Sequence, residues 1–345
     1  MASIRDVART AGVSTATVVR VLNGGATVSA DRTERVIRAV KELDYVTNGV
    51  AAGLSRGRTG LLGLLVSDIA NPFTAQAARG LEDEAVRRNY QVLISSSDFD
   101  PGREAQILKS FARRTVDAVA LMSTGEAAEG VQRLIRNGIP TVLIDRRPPD
   151  VLSVPLVRTD SLSAARDAVR HLIALGHTDL GMISGPPGMA TAAQRLAGFR
   201  AACTEAGLRV RPECVREGFL GSEGGHRAML EILDLPVRPT AVFSFNNMLA
   251  VGALGALRER GVHLPEDLSM ITFDDTDLFP FIDPPLTAIA QPAYEIGSAA
   301  GKLLFDELDG IVGPAAGRDV VLPTELRVRR SCAQVTATRA ADRIQ

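Results

Sequence analysis

Two groups of residues carry side chains suited to recognition. The first stands directly after or at the end of short apolar runs: Asp68, Asn71 and Phe73 after LLGLLV, Asp98 after QVLISSS, Asp145 and Arg146 closing TVLIDR, Asn246 after TAVFSF and Asp274 after LSMITF. Carboxylates, amides and an arginine near an aromatic face suit a neutral polyhydroxylated ligand, because each hydroxyl both donates and accepts a hydrogen bond. Any one of them alone reads equally well as a helix cap or a strand-end turn. Their shared placement is what points to a site. The second group lies in STATVVRVLNG, where Thr15, Ala16, Thr17 and Arg20 put small, polar and hydrogen-bonding side chains on one side of a short helix. That is the composition needed to approach base edges in a DNA groove.

Bond-making chemistry is not indicated. His171, His177, His226 and His263 have neither metal-ligand spacing nor a nucleophile beside them, and read as surface or capping residues. Cys203, Cys214 and Cys332 are an odd number without ligand spacing and read as reduced thiols. GPPG at 185–188 and GSEGG at 221–225 fit neither the phosphate loop nor the dinucleotide fingerprint, and no GxSxG occurs. The expectation is a binding protein with no catalytic residues, metal or cofactor. A sugar-metabolising enzyme with Asp145 and Asp274 as an acid/base pair is the rival, and it leaves the N-terminal segment unexplained.

The elements that would position these residues follow from periodicity. Ser3 can cap a helix whose Ile4, Val7, Ala8 and Ala11 share a face, and Gly12 ends it. Ser14 can cap a second helix with Val18, Val19 and Leu22 on its buried side, stopped by Asn23-Gly24-Gly25. A third helix capped by Ser29 has Val36, Ile37, Val40 and Leu43 as its inner stripe, giving a helix-turn-helix with a three-helix core. From about residue 60, strand-like runs at 61–66, 91–97, 117–122, 141–145, 180–184, 240–245 and 268–273 alternate with helical patterns. This spacing implies two lobes, each a doubly wound parallel sheet, with ligands bound beyond the carboxyl ends of the strands.

Composition agrees with a folded protein. Of 345 residues, 46% are hydrophobic and 23% charged, enough for two or three domains. Charge is uneven: residues 1–60 hold nine Arg or Lys against five Asp or Glu, about +4 on a chain whose total is −1. A basic head on an acidic body suits a polyanionic partner. No apolar run could span a bilayer, and MASIRDVART lacks the pattern of a signal peptide, so a cytoplasmic protein without membrane contact is expected. A solute-binding protein would predict a signal peptide and no basic head.

The stretch IRDVARTAGVSTATVVRVLNG followed by VSADRTERVIRAVKELDYVTN resembles the DNA-binding head of the lactose/galactose repressor (LacI/GalR) family of bacterial transcriptional regulators, in some two dozen positions of fixed register. The resemblance makes Thr15 and Ala16 the principal base readers and Arg20 a further base or phosphate contact. Ser14, Thr17 and Asn23 would touch the backbone, and Ser3, Arg5, Asn48 and Ala51 would add DNA contacts. It also implies a hinge helix formed on DNA, with Leu54 of two subunits wedged into the minor groove. Val19 stands where the family usually has serine, Thr47 where it has proline, and Ala52 where arginine or glutamine is common. Gly49 and Gly53 flank the hinge, and each costs a helix interior about 1 kcal/mol relative to alanine. Gly49→Ala or Gly53→Ala is therefore expected to tighten operator binding, as read by titration; no tightening would mean that hinge folding is not limiting.

SDIANPF, VLIDRR, AAQRLAGFRAA, FNN, ITFDDT, TAIAQP and the closing LPTELRVRRS resemble the effector domain of the same family, which is itself similar to periplasmic sugar-binding proteins. By that resemblance Asn71, Phe73, Asp145 and Arg146 bind the effector from the first lobe. Arg195, Phe219, Asn246 and Asp274 bind it from the second, with Gln291 at the crossover. Two positions depart from the family: Asn246-Asn247 stands where Asn-Asp is common, and Phe219-Leu220 where an aromatic Phe or Trp is common. A sugar or sugar derivative is the expected effector, with a purine or another small metabolite as the alternative. The implied organisation is a helix-turn-helix head at 1–46, a hinge and linker at 47–59, and an effector and dimerisation domain at 60–331. The first lobe would take about 60–158 and 291–320, the second 159–290 and 321–331, and 332–345 would be a flexible tail. The tail lacks heptad leucines, so a homodimer bound to double-stranded operator DNA is expected, with helix 74–89 as a candidate interface.

Overall fold

The computed structural model describes residues 2–22, 28–45, 58–311 and 319–335. Asn23, Asn48, Ala51, Leu54 and the hinge glycines lie outside the described residues. The chain forms two compact units, Met1–Leu61 with Thr115–Asp117, and the remainder. Residues 115–117, assigned from the sequence to the first lobe, join the N-terminal unit because the Asp117 carboxylate accepts from the backbone of Thr59 and Gly60.

The N-terminal unit contains α1 (Ile4–Ala11), α2 (Thr15–Leu22) and α3 (Ala30–Glu42). Ser3 and Asp6 form a reciprocal capping box, and those hydrogen bonds to Ser3 hold the Asp6 carboxyl below its ordinary range. Gly12 closes α1 at φ 62°, and Ser14 Oγ accepts from the Thr17 amide at 3.2 Å, starting α2. Val7, Ala8, Ala11, Val18, Val36 and Ala39 make the core. Three expectations change. Ile37 is 47% exposed, and Ala39 takes its place inside. Val19 is not part of the core cluster, where Val21 packs instead. Ser29 stands at the N-cap of α3 without a side-chain capping bond.

The second unit contains two sheets. The first lobe holds β1 (Leu61–Val66), β2 (Gln91–Ser96), β3 (Ala118–Leu121), β4 (Thr141–Ile144), β5 (Leu156–Thr159) and β11 (Asp319–Leu322), in the order β11-β5-β4-β3-β1-β2. The second holds β6 (Leu180–Ile183), β7 (Val215–Arg216), β8 (Ala241–Ser244), β9 (Ser269–Phe273), β10 (Thr287–Ala290) and β12 (Glu325–Arg327), in the order β12-β10-β9-β8-β6-β7. The two orders are the same pattern repeated. They differ at the last strand, since β11 runs parallel to β5 whereas β12 runs antiparallel to β10.

Between the strands run α4 (Pro72–Arg87), α5 (Pro101–Ser110), α6 (Ala128–Arg136), α7 (Ser161–Ala174), α8 (Ala190–Glu205), α9 (Gly221–Leu233), α10 (Asn247–Glu259) and α11 (Ala293–Leu308). Helix α11 belongs to the first lobe, where it packs on α4. The chain therefore passes between lobes three times: after β5, after β10, and at Pro323-Thr324 between β11 and β12. The last passage lies a few residues beyond the boundary expected near 320, because β11 extends to Leu322.

Helix pairs meet at glycines. A Cβ on Gly297 of α11 would lie 1.8 Å from the Ala77 carbonyl oxygen of α4, and one on Gly252 of α10 1.8 Å from that of Ser222 in α9. Residues 332–335 are not a free tail: the Ala333 amide donates to Ser269 Oγ and the Val335 amide to the Leu175 carbonyl. His177, expected at the surface, is fully buried, bonded to Thr240 and to the Ala333 carbonyl.

Candidate ligand cleft and DNA-reading face

Strand ends build the cleft. Asp145 follows β4 and Asp274 follows β9, topologically matched positions in the two lobes, and both are left-handed, at φ 69° and 65°. Aspartate tolerates this conformation better than bulky residues do, and the turn it makes sends the chain out of the sheet. Ser67, Asp68, Asn71, Phe73, Asp145 and Arg146 from the first lobe line one cavity with Arg195, Asn246 and Asp274 from the second and Gln291 from the crossover. Its volume is about 40 Å³.

Two buried guanidiniums dominate its chemistry. Arg195 on α8 is clamped between aromatic faces, its guanidinium carbon 3.6 Å from the Phe273 ring centre and 4.7 Å from that of Phe245. Its Nη1 donates to the Phe245 carbonyl at 2.7 Å and lies 3.7 Å from Asp274 Oδ2. Arg146 donates to Ser67 Oγ at 2.9 Å, with Asp145 3.6 Å from its Nε. Arg146 Nε and Nη1 and Arg195 Nε have no hydrogen-bond partner among the described residues. Buried donors left unmatched are costly, so an acceptor placed there gains strongly. Burial pushes the Asp274 carboxyl above its ordinary range against the pull of Arg195, and burial lowers Arg195. The pairs Asp145–Arg146 and Asp274–Arg195 balance, and half-buried Asp68 adds a third carboxylate, so the lining offers no surplus positive charge. It can match a ligand with many hydroxyl or ether oxygens and no charge.

Amides complete the wall. Asn71 caps α4, its Oδ1 accepting from the Phe73 amide, and Asn246 caps α10, accepting from the Leu249 amide. Each therefore caps a helix and lines the cavity. Gln291 accepts from Thr159 at 2.5 Å and donates to Asp274 Oδ1 at 2.6 Å, tying two inter-lobe passages to the cleft. Asp275, next along, accepts from Arg327 at the end of β12 and from Arg329 just beyond it.

Not every expected residue arrives. Phe219 is absent from the cavity lining: its ring packs in the second-lobe core with the Arg227 guanidinium over it. Asp98 pairs with Arg103 and Ser96 and serves its turn. Phe245 does line the cavity, with the Arg195 guanidinium over its ring. Ser67, Thr74, Phe99, Met122, Met189 and Thr191 also line the cavity. Ser67 and Met122 follow β1 and β3 directly, and that position was the available signal. Among the described residues no group of His, Cys, Asp and Glu could hold a metal ion, and no helix is long and apolar enough to cross a membrane.

On the N-terminal unit, Ser14, Thr15, Ala16 and Arg20 are exposed and Thr17 is half-buried, while Val18 is buried beneath them. Arg5 and Ser3 are exposed at the start of α1. The exposed side of α2 is thus small, polar and basic. Val19 is half-buried and carries no hydroxyl.

Comparison with known proteins follows the same division. The model of bacterial regulatory proteins, lacI family, matches residues 3–48, and that of the periplasmic binding protein-like domain matches residues 169–332. The chain is 37% identical to the HTH-type transcriptional repressor CytR of Escherichia coli (strain K12) over 309 residues, 90% of each chain. It is 36% identical to the Ribose operon repressor of the same strain over 310 residues, covering 89% of this chain and 93% of that one. The crystal structure of the lac repressor dimer bound to operator and the anti-inducer ONPF superposes with a TM-score of 0.82 at 27% identity, over 96% of this chain and 99% of that one.

Proposed function

The chain belongs to the lacI family of bacterial regulatory proteins, and from that premise we propose how its own residues divide the work of a DNA-binding transcriptional regulator that is not an enzyme. Operator is read by Thr15, Ala16 and Arg20 of α2, with Ser14 and Thr17 on the backbone and Arg5 on phosphate. The effector is a small, uncharged, polyhydroxylated molecule, a sugar or sugar derivative. It is held by Asn71, Phe73, Asp145 and Arg146 against Arg195, Asn246, Asp274 and Gln291. The observation that carries this reading is the pair of buried guanidiniums with unmatched N–H groups, each beside a carboxylate of its own lobe, that line one cavity. The similarity to a ribose operon repressor points in the same direction.

A cavity of about 40 Å³ is far below the few hundred Å³ usual for a small-molecule site, so the lobes must part to admit a ligand. Lobe movement would alter the spacing of two heads in a homodimer. The effector shifts operator affinity only by its differential affinity for the two arrangements. Exposed Val86 on α4 with Ile94 on the same side of the edge strand β2 offers the first lobe an apolar face for a second copy. Acting on operator DNA places the protein in the cytoplasm.

Selection from random duplexes tests the operator half of this reading. Recovery of an inverted repeat supports a dimer of heads, and a single unrepeated site contradicts it. On the selected sequence, Arg20→Ala is expected to lose about 1 to 3 kcal/mol of preference over scrambled DNA, whereas Arg5→Ala weakens both duplexes alike and lowers the salt slope. Equal losses on both duplexes for Arg20→Ala would remove it from the base readers. Thermal unfolding with D-ribose and a panel of sugars, polyols and sugar phosphates tests the effector half. Stabilisation by neutral sugars is expected, and stabilisation by phosphorylated compounds alone would overturn the assignment of an uncharged effector.

A further inference from the structure

We propose that Asn247, outside the set of effector contacts named above, is a positioning residue that bridges the lobes to Asn71 and fixes Asn71 as a hydrogen-bond donor toward the effector. The inference rests on the effector cleft as read above and adds to it the polarity of one wall.

The geometry leaves little choice of amide orientation. Asn247 is 1% exposed, at the first position of α10 in the second lobe. Its Oδ1 accepts from the Met248 amide at 2.7 Å, so the oxygen end is identified by a backbone N–H. Asn71 at the head of α4 in the first lobe is oriented in the same way, its Oδ1 accepting from the Phe73 amide at 3.0 Å. With both oxygens assigned, the only amide end Asn247 can offer is its NH₂ group, and Nδ2 donates to Asn71 Oδ1 at 3.1 Å. Asn71 Oδ1 now holds two donors. Its remaining group is Nδ2, two N–H donors, and Asn71 lines the cavity.

The identity of residue 247 matters because aspartate, common at this position by the resemblance noted in the sequence, could not make this bond. Its second oxygen would face Asn71 Oδ1, acceptor against acceptor. Turning the Asn71 amide to meet it would sacrifice the cap on Phe73. Asparagine at 247 therefore links lobe closure to the donor presented by Asn71, and one bond serves both.

The test reads lobe separation directly, so it stands whether or not the effector is a sugar. The loops holding Gly125 and Gly188 approach across the cleft, a Cβ on Gly125 lying 3.7 Å from the Gly188 carbonyl oxygen. Spin labels on Glu126→Cys and Pro187→Cys, both exposed, report that separation in the full chain. Cys203 and Cys332 stay unlabelled at neutral pH because burial pushes both thiols to about 11, and Cys214 is fully buried. Asn247→Asp should shift the unliganded distance distribution outward, Asn71→Ala should do the same, and the double variant should go no further than either alone. D-ribose titration is the second readout: Asn247→Asp should weaken binding about fivefold, with no further loss in an Asn71→Ala background.

Unchanged separation in Asn247→Asp, or additive effects of the two substitutions, overturns the proposal. Absence of D-ribose binding to the unmodified chain counts against the sugar reading alone, and the distance measurement still decides the role of Asn247. If Asn247→Asp does not fold, Asn247→Ala removes the donor without adding charge and is read on the same scale.

Discussion

Asp274→Ala is expected to abolish stabilisation of the protein by its effector. A ligand at 100 times its Kd adds about 2.7 kcal/mol, a shift of about 5 to 10 °C for a domain of this size. Without Asp274 that shift should vanish. The carboxylate accepts from Gln291 Nε2, sits 3.7 Å from Arg195, and is the second-lobe counterpart of Asp145. Its loss removes an acceptor for ligand hydroxyls and leaves Arg195 buried without its counter-charge. Because alanine is strained at φ 65°, Asp274→Asn is the companion variant: asparagine tolerates the backbone and keeps the shape while removing the charge. Differential scanning of both variants with and without D-ribose and the sugar panel checks the expectation. A full ligand shift in Asp274→Asn would mean that the charge is not needed for binding.

Gly297→Val is expected to destabilise the effector domain by more than about 3 kcal/mol, seen as a lower denaturant midpoint. A Cβ there would stand 1.8 Å from the Ala77 carbonyl oxygen and 2.7 Å from its carbon, and backbone cannot swing aside as a side chain can. Gly80 of the same pair repeats the constraint, its Cβ falling 2.0 Å from the Tyr294 carbonyl oxygen. Gly138→Ala makes the control: its surroundings are open, so only its φ of 68° carries a penalty, about 1 kcal/mol. Equal losses at both positions would show that α4 and α11 slide apart cheaply.

Much of this is legible in the sequence. Apolar runs mark β1, β4, β8 and β9, because a strand buried on both faces must be apolar and its polar neighbours must fall at its ends, whereas β5 and β10 escape that signal. Asp145 and Asp274 were visible for that reason. Phe219 was misplaced because aromatic character cannot reveal which side of a sheet a loop will fall on, and its ring went to the core under Arg227. Helix α11 was not singled out, since Gly297, Ser298, Ala300 and Gly301 dilute the apolar stripe where the backbone of α4 comes close. Ile37 and Ala39 exchanged places because α3 shows the core a narrow stripe that a small residue fills. Asn247 escaped notice as a working residue because its meaning lies in a partner 176 positions away.

The three passages of the chain between lobes carry a genetic consequence. The described residues of the head, 2–22 and 28–45, come from one N-terminal stretch of the sequence, so a single recombination point can exchange them for those of a relative and change the address read on DNA. The lobes are interleaved, each drawing strands from either side of the other in the gene. No single junction can swap one of them whole. The head and the pair of lobes can thus each be inherited as one block, whereas the two walls of the effector cleft cannot be exchanged separately at one junction.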